Sequence, residues 1–295
     1  MGVLWQDVRY GIRMLLRSPG FTIVAVLTLA LGIGANTAIF TVVNAVLLKP
    51  LPYPNSDRLV FLTEHWAKFP ILSVSYENYV DWRDQSHSFE LVGASRPTNL
   101  TLTGTGEPER LPARMASATF FNLLGVRPVL GRTFLAEEDK PGGTPVAVIS
   151  YGLWQRRFGS SPGILGTSLT LDNQPYTIVV VLPANFSYQP PLDVFVPMGP
   201  WTATLPDDRS WHPGIVPVAR LKPGVSLEQA RTEMTTIAQR LEKQYPLYDT
   251  GVGANVNFMH EQIIQNARPA LLILLASVGL VLLIACANVA NLLLA

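Results

Sequence analysis

The chain has 295 residues, a formal net charge of +1 and 15% charged residues, well below the ~25% usual for soluble domains. The near balance of 22 basic and 21 acidic side chains leaves no basic excess for a nucleic-acid partner. One cysteine, Cys286, excludes a disulfide framework within the chain and, inside an apolar run, reads as a small buried side chain.

Residues 1–20 read as a cytoplasmic amphipathic leader helix. Leu4, Val8, Ile12, Leu15 and Leu16 recur at helical spacing, Arg9, Arg13 and Arg17 stand four apart on another face, and Ser18-Pro19-Gly20 breaks the helix. A basic amphipathic helix beside a span belongs in the membrane interface, with Trp5 at headgroup depth.

From Phe21 to Leu48 there is no Asp, Glu, Lys or Arg. As helix, ~20 such residues cross a ~30 Å hydrocarbon core. The run starts too late and is too long for a signal peptide, and Ala45-Val46-Leu47-Leu48-Lys49-Pro50 offers no small-x-small cleavage site. It is read as a retained transmembrane helix over 21–48. Three arginines precede it, Lys49 and Arg58 follow closely, and Lys68 lies farther out. That bias puts the N-terminus in the cytoplasm and residues 49–266 outside the inner membrane.

The outer region is long enough for its own core. Pro50 to Pro54 reads as a stiff exit. Strands are expected at Leu59–Leu62, Phe89–Ser95 and Leu100–Thr103, with helices at Tyr76–Asp84 and Ala118–Leu124. Val146–Ile149 is a strand followed by a helix over Tyr151–Phe158. Ser168–Leu171 and Tyr176–Leu182 flank an Asp172-Asn173 turn as a hairpin. Strands follow at Val194–Val196 and Val216–Leu221. Ser226 and Gln229 form a capping box for a helix whose apolar face is Leu227, Ala230, Met234, Ile237, Ala238 and Leu241. Asn255–Met259 returns as a strand, so a second β-α-β pattern echoes the one at residues 59–95. The second apolar run, residues 269–295, reads as transmembrane helix 2, and because it reaches Ala295 without polar residues it is expected to be truncated.

No catalytic constellation is found. The phosphate-binding G-x-x-x-x-G-K-[ST] and the nucleophile G-x-S-x-G are missing. His65, His87, His212 and His260 have no metal-ligand spacing, and His260-Glu261 is followed by Ile264 where a zincin needs histidine. The acidic clusters Glu137-Glu138-Asp139 and Asp207-Asp208 read as solvated loop charge.

The polar residues of the spans say more. Asn36, Thr37, Thr41 and Asn44 lie in the first, and Ser277, Asn288 and Asn291 in the second. An amide facing lipid leaves its hydrogen-bonding groups unpaired, so these side chains are expected to face protein. Ala30, Gly34 and Ala38 form a stripe of small residues suited to close helix contact, and Ala287, Asn291 and Ala295 form another. Simple adhesion and a bundle that shifts during a cycle both require neighbouring helices.

The segment Leu29-Ala30-Leu31-Gly32-Ile33-Gly34-Ala35-Asn36-Thr37-Ala38-Ile39-Phe40, with Val43-Asn44-Ala45-Val46-Leu47-Leu48-Lys49-Pro50-Leu51-Pro52-Tyr53-Pro54, resembles the start of a MacB/FtsX-type ABC transporter permease of the duplicated orphan permease subgroup. Arg58-Leu59-Val60, Phe120-Phe121-Asn122-Leu123-Leu124-Gly125-Val126, Gly131-Arg132-Thr133-Phe134 and Ala285 to Ala295 are similar to the same family. The resemblance implies a membrane protein whose transmembrane helices flank an α+β extracytoplasmic domain, with porter-like β-α-β units at 55–115 and 215–262 and a strand-rich insertion at 116–214. It implies two further spans beyond the second. It also implies a non-enzymatic permease subunit that binds no cofactor itself, ATP being bound by a separate cytoplasmic subunit. The further partners it implies are a second permease copy or half, periplasmic proteins and membrane lipid. A membrane-anchored ligand-sensing or interaction domain is the alternative, and it would need a cytoplasmic output module.

Overall fold

The computed structural model describes residues 5–6, 9–10, 13, 16–17, 19–104, 106–188, 190–206 and 208–294, without the side chains of residues 21 and 292–294. The chain divides into two units, one made by the segments up to Lys49 and from Ile263 onward, the other by Pro50–Gln262.

The first unit is helical. Helix α1 (Pro19–Val43) continues as a π-helical turn over Asn44–Leu48, where the Lys49 N–H donates to Asn44 O at 2.9 Å. Pro19 and Gly20, expected to break the helical path before the span, are themselves helical. The partner helix α9 spans Arg268–Leu294. Spans of 27 and 24 residues, Thr22–Leu48 and Arg268–Asn291, are long and apolar enough to cross a bilayer. Only 11% and 6% of their most apolar stretches is buried by protein, whereas the core helix of a soluble protein would be mostly buried.

The second unit is built on one mixed sheet. Its first half uses β1 (Leu59–Trp66), β2 (Phe69–Leu72), α2 (Tyr76–Gln85) and β3 (Phe89–Thr103). The middle contributes β4 (Glu109–Ala116), α3 (Phe120–Leu123), β5 (Leu130–Gly131), β6 (Val146–Ile149), α4 (Tyr151–Phe158), β7 (Ser168–Leu171), β8 (Gln174–Val181), β9 (Val194–Pro197) and α5 (Gly199–Thr202). The chain returns through β10 (Val216–Leu221), α6 (Leu227–Gln244), α7 (Pro246–Asp249), β11 (Gly253–Phe258) and α8 (Met259–Ile264). The strand order is β11-β1-β10-β3-β4-β9-β6-β8-β5, with β2 on β1 and β7 on β3 and β8.

Two β-α-β units interlock at one end of this sheet. β10 lies between β1 and β3, and β1 lies between β10 and β11, so each unit receives a strand of the other between its own two. The alternation of β1 divides its side chains between two cores. Val60 and Leu62 pack with Tyr79, Trp82, Met234, Ile237 and Leu241, beneath α2 and α6. Leu59 on the opposite face joins Phe120, Phe121, Phe134, Phe195 and Met259. A third core, with Leu111, Ile149, Leu153 and Leu171, fills the strand-rich half.

The structure changes several expected boundaries. Phe89–Ser95 and Leu100–Thr103 are one continuous strand, β3, although Pro97 lies inside it. The pairing explains this: β10 accompanies β3 only as far as Ser95, so Pro97 lacks a donor where no β10 carbonyl needs one. Strand β4, which contains Pro112, and the short strands β2 and β5 have no counterpart in the sequence reading. Met259 opens a helix instead of ending β11. The capping box at Ser226 and Gln229 is present, with both hydrogen bonds made.

Candidate functional site

The contact between the two membrane helices is the first place where sequence and geometry meet. Along α1 the covered or half-covered positions include Ala25, Leu29, Gly32, Asn36, Ile39 and Val43, with Thr22 and Thr28 half-covered as well. Along α9 they include Leu271, Leu275, Val278, Leu282, Ala285 and Val289, with Gly279 half-covered as well. The two main series alternate steps of four and three, the spacing of a left-handed coiled-coil seam. Gly32 lets the helices approach closely: a Cβ there would stand 3.1 Å from Leu282 Cδ1. Asn36 Nδ2 donates to Gly32 O at 2.9 Å and, across the seam, to Val278 O at 2.8 Å.

The other packing candidates fall outside this seam. Ala30, Gly34 and Ala38 are exposed, and the Cβ direction of Gly34 meets nothing within 4 Å. Asn44, Ala287, Asn288 and Asn291 are exposed as well. The stripe at every fourth residue does not face α9, because a 3.6-residue helix rotates such a stripe away from a straight neighbour. A seam read at 3.5 residues would have picked out Ala25, Gly32, Asn36 and Val43. Cys286, expected to be buried, is exposed on α9. The hydroxyls of Thr28, Thr37, Thr41 and Ser277 donate to carbonyls four residues back, at 2.7–2.8 Å, and so need no partner from another helix.

In the leader, Trp5, Arg9, Arg13 and Arg17 are helical and exposed, as is Leu16. Leu4, Val8, Ile12 and Leu15 lie outside the described residues.

The segments that join the outer domain to the spans converge on one core. Leu51 and Tyr53, on the way out, and Met259, on the way back, belong to the aromatic cluster of Phe120, Phe121, Phe134, Phe195 and Tyr188. Its rings meet edge-on at centroid distances of 5.1–5.6 Å, for Phe121 with Phe195, Phe120 with Tyr188, and Phe121 with Phe134. Tyr53 Oη donates to Ser187 O at 2.6 Å. Arg220 of β10, 5% exposed, donates to Pro54 O at 2.7 Å, to Asn55 O at 3.2 Å and to Leu123 O. Burial, together with the neighbouring Arg58, holds its pKa below the ordinary arginine value. Gly125 completes the clamp. Its φ of +65° and the Pro54 ring, 2.7 Å from where a Cβ would sit, both require glycine. In the sequence, Pro50 to Pro54 reads as a stiff exit, Arg220 lies in an expected strand and Gly125 follows an expected helix, with no local signal joining them.

A second polar assembly holds the segment that returns from the strand-rich half to β10. Glu64 of β1 is fully buried and accepts from Ser75 N at 3.2 Å, Asn78 Nδ2 at 3.0 Å and His212 Nε2 at 2.5 Å. His212 Nδ1 faces Ser210 O at 2.7 Å, so both ring nitrogens meet acceptors. The hydrogen bond to Glu64 raises the His212 pKa above its usual value, against the opposing effect of burial. Asn78 uses its whole amide: Nδ2 also donates to Asp249 Oδ1 at 3.0 Å, and Oδ1 accepts from Arg209 at 2.6 Å. Arg209 also binds Asp81 and stacks 3.7 Å above the Tyr245 ring. In the sequence His212 shows only that it lacks metal-ligand spacing to another histidine. No local signal ties it to Glu64, 148 positions away. Among the described residues, no three His, Cys, Asp or Glu side chains group as metal ligands.

The comparisons with known proteins bear on this architecture. The model of the MacB-like periplasmic core domain matches residues 22–237. The periplasmic region of MacB from Actinobacillus actinomycetemcomitans has a similar fold at 12% identity and a TM-score of 0.53, covering 72% of this chain and 94% of that one. A domain assigned to a permease protein of Porphyromonas gingivalis aligns at 18% identity and a TM-score of 0.52, covering 70% and 93%. The extracellular domain of the noncanonic ABC-type transporter YknZ from Gram-positive bacteria aligns at 15% and 0.50, covering 67% and 99%. At these identities the solved structures speak for the fold alone. No curated protein matches the sequence.

Proposed function

This chain belongs to the MacB-like periplasmic core domain family, and from that premise we propose that it is the membrane subunit of an ABC-type export or mechanotransmission system. A separate cytoplasmic ATPase binds and hydrolyses ATP, so the chain itself takes no cofactor. The N-terminus lies in the cytoplasm, the leader rests on lipid through Trp5, Arg9, Arg13 and Arg17, and residues 49–266 face the periplasm. No substrate need pass between the spans. Their movement is delivered to the outer domain, which acts on substrate or partner proteins there.

The observation that carries this reading is that the outer domain seats its first residues after span one, and Met259 near its last, in one core. Leu51, Tyr53 and Met259 share the phenylalanine cluster, and Arg220 fixes Pro54 and Asn55 to the sheet. A flexible linker would absorb a displacement of the spans, whereas a packed one transmits it, because close-packed interiors have low compressibility. The exposed amides of Asn44, Asn288 and Asn291 and the uncovered stripe of Ala30, Gly34 and Ala38 fit further membrane helices, such as a second permease copy or half.

Topology is tested with reporters fused after Arg17 and within residues 100–250, which should report cytoplasm and periplasm respectively. Coupling is tested by assembling the full-length permease with its ATPase in nanodiscs and measuring distances between probes on the outer domain with and without ATP. Shifted distance distributions are expected. Distances that ignore ATP while hydrolysis continues would refute the coupling.

A further inference from the structure

Trp82 and Asp249 are buried in the outer domain, at 1% and 3% exposure. Trp82 Nε1 and Asp249 Oδ2 have no hydrogen-bond partner among the described residues. Arg209 stands 3.6 Å from Oδ2, close enough to attract it and too far for a hydrogen bond. A buried donor or acceptor left unpaired costs about 1–3 kcal/mol, so two of them at one place call for an explanation. Both residues line the same small cleft, about 10 Å3 in volume, which is completed by Asn78, Ala238, Leu241, Val252 and Gly253.

We propose that this cleft is the binding site of one water molecule, which accepts a hydrogen bond from Trp82 Nε1–H and donates one to Asp249 Oδ2. Size sets the first limit, since ~10–15 Å3 of this measure holds a single water and nothing larger. Chemistry sets the second. The ligand must accept from an indole N–H and also donate to a carboxylate oxygen. A metal or alkali cation cannot accept the indole proton. A halide cannot donate, and Asp249 repels it. Asn78 cannot replace the water, because its two donors and its acceptor are committed to Glu64, Asp249 and Arg209. Two polar partners meet the minimum a buried water needs.

The water has a structural consequence. It joins α2, through Trp82, to α7, through Asp249, and extends the chain of polar contacts Asp249–Asn78–Glu64–His212 inward to the largest buried side chain of that core. With Oδ2 engaged, Asp249 keeps Oδ1 on Asn78 and its charge beside Arg209. The residues that hold the returning segment are thereby fixed from the core side.

The test uses the full chain in detergent micelles with nitrogen-15-labelled indoles. The Trp82 indole signal is the one lost in Trp82→Phe. It should show cross-relaxation to water, with the sign of a long-lived bound molecule, and slow hydrogen exchange. A slowly exchanging Trp82 indole without that cross-peak would overturn the proposal. If Trp82→Phe does not fold, a diffraction map of the unsubstituted chain decides the matter. A peak within ~3.2 Å of both Nε1 and Oδ2 supports it, and a dry cleft or a direct contact between the two side chains refutes it.

Discussion

Replacing Arg220 by methionine keeps most of the stem volume and removes the guanidinium that ties the exit segment to the sheet. Three carbonyl oxygens lose a charged donor: Pro54 O, Asn55 O and Leu123 O. Hydrogen bonds to a charged group contribute ~1.5–3 kcal/mol each. The sum overstates the loss, because methionine no longer requires a buried guanidinium to be desolvated. Pro54 and Asn55 can also recover water if the segment loosens. What remains is the orphaned Leu123 carbonyl, at ~1–3 kcal/mol, and the freed segment, so the net loss should be about 3 kcal/mol. That is roughly two orders of magnitude in the ratio of folded to unfolded chains. Denaturant unfolding followed by tryptophan fluorescence reads the stability. Amide exchange over residues 53–58 reads the clamp itself and should accelerate. Arg83→Met is the control, since Arg83 lies outside this segment, has a side chain 41% exposed and pairs with its own neighbour Asp84. If Arg220→Met costs no more than that control and leaves residues 53–58 equally protected, the guanidinium does not hold the exit segment.

Other substitutions probe separate parts of the molecule. Asn36→Leu should weaken the helix pair by about 1 kcal/mol through loss of the bond to Val278 O, while Thr37→Ala, whose hydroxyl bonds within its own helix, should be close to neutral. Steric trapping in bicelles measures the difference. His212 has a folded-state pKa above its unfolded value of 6.5, so its contribution is complete below pH 6.5 and is lost as pH rises through the raised value. Melting temperature should therefore fall as pH rises above 6.5 in the parent chain, and fall less in His212→Gln. Equal slopes would show that the pair with Glu64 is not responsible. Phe121→Ala, in the core shared by both connecting segments, should cost ~3–5 kcal/mol. Phe69→Ala, at a side chain half exposed on β2, should change stability by less than ~0.5 kcal/mol. Comparable losses for the two in urea unfolding would contradict the assignment of the core.

The sequence by itself determined the parts governed by local rules. Runs without charge fixed the two spans, since transfer into lipid depends on each residue separately. Capping chemistry fixed the start of α6 at Ser226, and short apolar runs bounded by turn residues marked the strands from Val146 to Val196. Only the tertiary structure decided how α1 and α9 meet, because small residues line several faces of α1 and the choice of Gly32 and Asn36 depends on the shape of Leu282 and Val278. It decided equally that Pro97 could stay inside a strand, which turns on where β10 stops pairing. The clamp at Arg220 and the group around Glu64 and His212 were hidden for a single reason. Their partners lie 97–166 and 148 positions away, and hydrogen bonds at such separations are set by the closing of the sheet, after local preference has had its say.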